Sequence, residues 1–482
     1  MEIIKFFLSQ VLQARLAVPV LFMGLFLSGC TSGCINQVIS ISEVGPAGNI
    51  LVRKLKIVTR DSVDLFVRYW EKQNKDRVLT TQVSKNSRQH VQTMLYLKPG
   101  TAYEYQVVVE KRGCQSMGQV ESFINQELPA GLSEILMPAE RKQSLPVKYQ
   151  QGFTLVARRE LPGQMYIADV KGNIIWYHTV RDAGFKVAHF TARSTLLSIL
   201  APLSYPTSYG DEILEVSLAG DTLFHLKKGD KGLDKTIHHE IFYNAANQLV
   251  TLTLEKKVVD LSSVGGSKAD TVTGDGILVL DRHGNKVWSW SVFDVIDPKS
   301  DPRILKDKSD WLHANSLSID RDGNYLMSFY LSGQVWKINA SNGELIWKLG
   351  RGGDFSFSKH GEFSGPGSAT FSESHAVHRS ADNKLLLFEN GTNKKRSRVL
   401  AYSLDEDRHE ASLAENIELP LHLYSERMGS AYWVDSSSLL VCSSQANSVA
   451  LTDRSGEILW RIRTGFVPYR AEFIDSLPMF RN

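Results

Sequence analysis

Beyond residue 150 the chain repeats one short phrase, a glycine turn followed four positions later by tryptophan or another large apolar residue. The copies are Asp169–Gly172–Trp176, Ser217–Gly220–Phe224, Asp281–Gly284–Trp288, Ala340–Gly343–Trp347 and Asp453–Gly456–Trp460, with a degenerate one at Tyr402–Asp405. The glycines stand 48, 64, 59 and 113 residues apart, and the last gap spans two units. Glycine supplies positive φ in such a turn, and the large residue packs between neighbouring sheets. Six units of roughly 50–60 residues, each with several short strands, predict a six-bladed β-propeller. Helix-periodic stretches are nearly absent, so the expected class is all-β.

The start of the chain reads differently. Lys5 and Arg15 precede a twelve-residue apolar run, Leu16 to Leu27, too short to span a bilayer comfortably. It ends in Leu27-Ser28-Gly29-Cys30, which resembles a bacterial lipoprotein box. That resemblance implies a signal peptide over residues 1–29, lipidation of Cys30 and a periplasm-facing lipoprotein of the cell envelope. Thr31 follows where inner-membrane retention would need aspartate, which favours the outer membrane. Residues 30–137 alternate as short strands, and Leu97-Lys98-Pro99-Gly100-Thr101-Ala102-Tyr103 resembles the tyrosine corner of fibronectin type III β-sandwiches. A small sandwich is expected there, then a linker over 138–149, then the propeller over 150–482. In an oxidising compartment Cys34 and Cys114 could close a disulfide, whereas Cys442 lies in an apolar strand and reads as core.

Balanced charge, +3 over 482 residues, and the lack of a basic run with interleaved aromatics argue against a nucleic-acid partner. No Cys-x-x-Cys pair is present, against a zinc ribbon or a thioredoxin-like site. Long insertions at Glu255–Gly276 and Gly350–Ser374 interrupt the repeat, and loops of that length usually form lids or site walls.

The chemistry lies in histidines that recur at one structural position. His238-His239-Glu240, Asp310-Trp311-Leu312-His313-Ala314-Asn315-Ser316 and Ser374-His375-Ala376-Val377 each open a strand that turns and returns as a hairpin. Equivalent positions in successive blades face a common axis, so the three imidazoles should meet. Zinc sites usually add close ligand pairs or a carboxylate, and Glu240 should point away from His239, so no metal is expected. Neutral imidazoles instead offer a nucleophile, an acid–base pair and hydrogen-bond donors, a set suited to moving a small anionic group.

These elements, with Gly350-Arg351-Gly352-Gly353-Asp354-Phe355, Phe388-Glu389-Asn390-Gly391, Ser397-Arg398 and Tyr469-Arg470-Ala471-Glu472, resemble the bacterial arylsulfate sulfotransferases in order across the propeller region. The resemblance implies sulfuryl transfer from an aryl sulfate donor to a phenolic acceptor, by a ping-pong route through a sulfohistidine and without a cofactor. It assigns His375 as nucleophile, His313 and His239 as its catalytic partners, and His238, Asn315, Tyr330 and Arg398 as substrate-binding. In the family an arginine holds the sulfuryl group on the strand after His313. Here Ser328-Phe329-Tyr330-Leu331 places Tyr330 or Leu331 there. A catalytically inactive propeller that binds phenolic or sulfated ligands, or a protein partner, is the alternative. Which of His238 and His239 faces the axis stays open, as does a homodimer. A quinone dehydrogenase would need more blades and a calcium site.

Overall fold

The protein is described from a computed structural model covering residues 36–44, 48–142, 144–206, 208–359, 362–363 and 371–478. Cys30, Cys34 and the expected signal peptide lie outside the described residues. Cys114 is disulfide-bonded, and Cys442 is free and buried.

The described chain is all-β apart from short helical turns. In the N-terminal region a single long strand, Arg53–Glu71, runs through a six-stranded sheet. Its first half pairs with Val38–Val44 and Ser84–Met94, and its second half with Asn74–Thr80 and Ala102–Lys111. Alternate residues Leu55, Ile57, Val63, Leu65, Val67 and Tyr69 point into a shared core, as the two-residue period of a strand requires. Within the stretch Leu97–Tyr103, Lys98 N donates to Tyr103 Oη at 2.9 Å.

Among the described residues six sheets follow, each with a run of four antiparallel strands, and in the fifth Ser356–Lys359 adds in parallel beside Glu410–Glu418. Their inner strands are Pro468–Ile474, Gly184–Phe190, Ile237–Tyr243, Ala314–Ile319, Ser374–Arg379 and Ser430–Trp433, and they contact one another in cyclic order. Most strands are buried on both faces, which explains why they read as apolar runs and not as alternations. In the fifth sheet Leu385 and Leu387 pack toward the fourth sheet, while Leu386 and Phe388 pack toward the sixth. Such cores fill every junction between successive sheets, including that between sixth and first.

The circle is closed by two strands far from their partners in sequence. Pro468–Ile474 supplies the inner strand of the first sheet by pairing with Phe153–Arg158. Leu136–Arg141 adds an outer strand to the sixth sheet by pairing with Ile458–Thr464. This corrects the expected linker at 138–149, because its first residues are ladder-bonded and Val147–Gln151 forms a helical turn. Proline at 138 is tolerated because the strand lies at a sheet edge.

The repeated glycines do adopt left-handed φ, between 78° and 85°. Several tryptophans donate their indole N–H to the next sheet's turn. Trp176 reaches Leu218 O, Trp290 reaches Gly343 O and Trp460 reaches Val170 O, each at 2.8 Å. In the third sheet the bonding residue is thus Trp290, two positions beyond the motif's Trp288. The insertion at 255–276 extends a hairpin of Leu249–Val259 and Asp270–Leu280, which forms one wall of the site described below.

Trp460 is 1% exposed and joins the last sheet to the first, so Trp460→Ala should destabilise the protein by about 3–5 kcal/mol in denaturant unfolding. Val287→Ala, on a residue 50% exposed, should stay within about 0.5 kcal/mol of wild type.

Candidate active site

Three inner strands deliver the histidines, and each carries a register irregularity at the point of delivery. The shifts fall between His238 and Ile241, Ala314 and Ser316, and His375 and His378. Left-handed φ occurs beside them at His239 (57°), Leu312 (70°), His313 (57°), Glu373 (52°) and Ala376 (51°). For residues with a Cβ this backbone is costly and is retained where surrounding structure enforces it. Its effect here is to turn the side chains from the pleat toward the axis.

The rings meet. His239 lies 5.4 Å from His313, His313 lies 5.7 Å from Tyr330, and Tyr330 lies 5.5 Å from His375, centroid to centroid. His238 sits behind His239, with the two Nδ1 atoms 2.7 Å apart, and Tyr209 and Tyr469 enclose the pair. His239 is therefore the member of the His238/His239 pair that contacts the other site histidines, while His238 is fully buried.

The surroundings assign unequal protonation. Burial pushes His375 down to about 3, helped by the nearby charges of His313 and Arg470. The Glu373 backbone and the Asn390 side chain oppose this. Asn390 donates from Nδ2 to Ser425 O (2.8 Å) and Met428 O (2.7 Å). His375 Nδ1 and Asn390 Oδ1 are both buried without a hydrogen-bond partner. A neutral imidazole with its proton on Nδ1 has its lone pair on Nε2. His313 is the opposite case. Burial disfavours its charge, but a 2.7 Å contact from Nδ1 to Asp310 Oδ2, with Asp275 nearby, outweighs that and raises its proton affinity. Burial and Glu373 raise the Tyr330 hydroxyl to about 12, so it is a neutral donor.

Two of the expected contact residues are otherwise occupied. The Asn315 side chain donates to Ser374 O at 2.8 Å and accepts from Ser328 Oγ at 2.5 Å, tying the fourth sheet to the fifth. One N–H and one lone pair of the amide thus hold the two sheets together, and the residue is fully buried. Arg398 is ion-paired with Glu389, whose Oε1 also accepts from Ser372 N. Tyr330, by contrast, lies between two of the histidines.

Sequence reasoning missed four polar residues here. Asp310 and Asp275 hold His313 and face His238, Asn390 faces His375, and Arg470 is the buried guanidinium nearest the site. Arg470 pairs with Glu240, bonds Tyr432 Oη at 3.3 Å and donates to Asn315 O at 3.3 Å. Asp310, Asn390 and Arg470 stand inside motifs already singled out, so the signal was present but their roles were not read.

Sheets in cyclic contact around a buried cluster of imidazoles and a phenol define an all-β protein with one composite, histidine-based site. The family model for arylsulfotransferase (ASST) matches residues 139–465, and the chain belongs to that family. A search of curated proteins gives no match. Among solved structures, a protein of unknown function from Bacteroides caccae is 10% identical, with 68% of this chain and 100% of that chain covered and a TM-score of 0.44. A streptogramin B lyase is 10% identical, covering 70% and 90%, with a TM-score of 0.36. A catalytically inactive virginiamycin B lyase from Staphylococcus aureus with quinupristin is 9% identical, covering 67% and 87%, with a TM-score of 0.36. Nothing about the site rests on these structures.

Because His313 is raised in the folded protein, its charge holds below that raised value and is lost as pH climbs through it. Any activity that needs the charge should therefore fall on the alkaline side. Asp310→Asn should move that limb to lower pH, read as a pH–rate profile.

Proposed function

We propose that this protein transfers a sulfuryl group from an aryl sulfate to a phenol through a sulfohistidine on His375, within a six-bladed propeller preceded by a fibronectin type III-like sandwich. A single observation carries the reading. The Tyr330 ring lies between those of His313, whose proton affinity is raised, and His375, whose proton affinity is lowered.

In the first half-reaction His375 Nε2 attacks sulfur. The N–S bond forms as the S–O bond to the aryl group breaks, and the departing phenolate takes a proton from His239. His313, held charged by Asp310, stabilises the sulfuryl oxygens where the family places an arginine. Tyr330 adds a hydroxyl donor. In the second half-reaction an acceptor phenol returns its proton to His239 as its oxygen attacks sulfur and the N–S bond breaks. The lipoprotein-box resemblance supports placement at the cell envelope, anchored through Cys30 and facing the periplasm.

The inactive-propeller reading has one observation in its favour. The nearby guanidinium groups of Arg398 and Arg470 are both paired with carboxylates. Incubation with 4-nitrophenyl sulfate and phenol separates the two, because only transfer releases nitrophenolate in an acceptor-dependent way. His375→Ala should reduce release at least about 10³-fold. Mass spectrometry of enzyme mixed with donor alone should show one SO3 on the peptide bearing His375. Tyr330→Phe should lower kcat by about 10²-fold, in line with loss of one oxyanion donor. Absence of acceptor-dependent release by the wild type would leave the inactive reading.

A further inference from the structure

Behind the reacting rings stands a carboxyl that the reaction above does not use. Asp275, on the Asp270–Leu280 strand, is 2% exposed. One oxygen, Oδ2, accepts from Ala314 N at 2.9 Å. The other, Oδ1, lies 3.4 Å from His238 Nε2, a buried nitrogen with no hydrogen-bond partner. The far side of the same ring places Nδ1 2.7 Å from His239 Nδ1. At that separation two ring nitrogens share one proton, one donating and the other accepting. His239 thus commits Nδ1 to its neighbour and has Nε2 left for the pocket.

We infer that Asp275, His238 and His239 form a proton relay, with the Asp275 carboxyl storing the proton exchanged between the two half-reactions. The inference rests on the proposed sulfuryl transfer and supplies its acid–base reservoir. The need for a reservoir follows from burial. His238 is pushed down to about 3 by desolvation, and His239 falls well below the usual imidazole range for the same reason, reinforced by its histidine neighbours. Neither can hold a proton as imidazolium. Both can still pass one without ever becoming charged, by exchanging tautomers.

At rest the Asp275 hydroxyl donates to His238 Nε2, His238 Nδ1–H donates to His239 Nδ1, and His239 Nε2–H faces the leaving oxygen. When the S–O bond breaks, the Nε2 proton of His239 goes to the phenolate, the Nδ1 proton of His238 moves to His239 Nδ1, and the Asp275 proton moves to His238 Nε2. The phenol leaves neutral, both imidazoles remain neutral with tautomers reversed, and Asp275 becomes a carboxylate. The acceptor phenol drives the same transfers backwards. Burial raises Asp275 to about 7, a value from which a proton is both held and released near neutrality. Of the groups facing it, the Ala314 N–H and the charge of His313 favour its ionised form, while Asp310 and Glu255 favour the protonated one. The Thr253 carbonyl also faces His238. Asp275 touches no substrate and acts only through His238, so its signature differs from that of the nucleophile.

That signature is dependence on the leaving group. Phenyl sulfate departs as a basic phenolate that needs a proton, whereas 4-nitrophenolate needs little help. Asp275→Asn, which keeps an acceptor for Ala314 N–H, should lower kcat/KM only a few-fold with 4-nitrophenyl sulfate but about 10²- to 10⁴-fold with phenyl sulfate. Asp275→Glu should recover some of the loss. His238→Gln interrupts the relay at its middle and should reproduce the same divergence if Asp275→Asn does not fold. Infrared difference spectra of wild type against Asp275→Asn should show a protonated-carboxyl band at neutral pH that disappears on alkalinisation. Equal losses with both donors, or no such band, would overturn the relay while leaving transfer intact. A wild type that transfers from neither donor would overturn the transfer reading and the relay together.

Discussion

One strand near the C-terminus governs the whole arrangement. Pro468–Ile474 follows directly on the sixth sheet yet pairs with Phe153–Arg158 of the first, and so closes the circle. It also carries Tyr469 and Arg470 into the centre. Arg470 reaches Glu240 on the third sheet, Asn315 O on the fourth and Tyr432 on the sixth. Glu240 in turn holds His189 of the second sheet at 2.7 Å, and Glu472 holds the other nitrogen of that ring at 3.1 Å. Fully enclosed, an ion pair of this kind is a poor source of net stability, because desolvation offsets most of the attraction. Its physical consequence is geometric. A guanidinium with several directional donors fixes the mutual position of inner strands whose apolar cores alone would permit sliding. The histidines of the third, fourth and fifth sheets inherit their spacing from that fixed centre.

The same low-polarity interior makes the imidazoles unequal. A ring buried without an acid beside it is pushed toward the neutral form, as His375 is, and a ring with a carboxylate at 2.7 Å is pushed toward the charged one, as His313 is. A nucleophile needs an unprotonated nitrogen, and a group that balances anionic oxygens needs a positive charge. Both conditions coexist at one pH only because Asp310 addresses one ring and Asn390, a neutral amide, addresses the other. An aspartate at position 390 would favour protonation of the nucleophile.

How much of this is legible in the sequence depends on the range of the interaction. The turn glycines and the tryptophans four residues on are local, and left-handed φ at Gly172, Gly220, Gly284, Gly343 and Gly456 follows from turn chemistry alone. The histidines are legible because the repeat carries equivalent positions to one axis. Arg470 is harder to read, since its main partner, Glu240, lies 230 residues away. Asp275 is harder still, because it sits in a strand of a long insertion whose length suggests a loop. Asn315 shows a different limit. An amide two residues from His313 invites a substrate role, and the sequence does not show that its Oδ1 and Nδ2 also bond Ser328 and Ser374, where burial requires such groups to be paired. The segment after residue 138 looks like a linker because it is polar and contains proline, and these are also the traits of a protected edge strand.

On the proposed sulfuryl transfer, Tyr330 standing where the family resemblance expects an arginine has a physical meaning. A guanidinium beside His313 and Arg470 would put a third positive charge into the buried pocket, and like charges would lower the affinity of His313 for its proton. Tyr330 removes that repulsion and leaves a donor hydroxyl between His313 and His375. The positive charge for the sulfuryl oxygens then falls to a group that can lose it, so control passes from a fixed cation to the Asp310–His313 pair. A site built this way couples transfer to pH more strongly than one with a permanent guanidinium. Its acid–base supply is tied to that pair, because the charge of His313 favours the ionised form of Asp275 while Asp310 favours the protonated one.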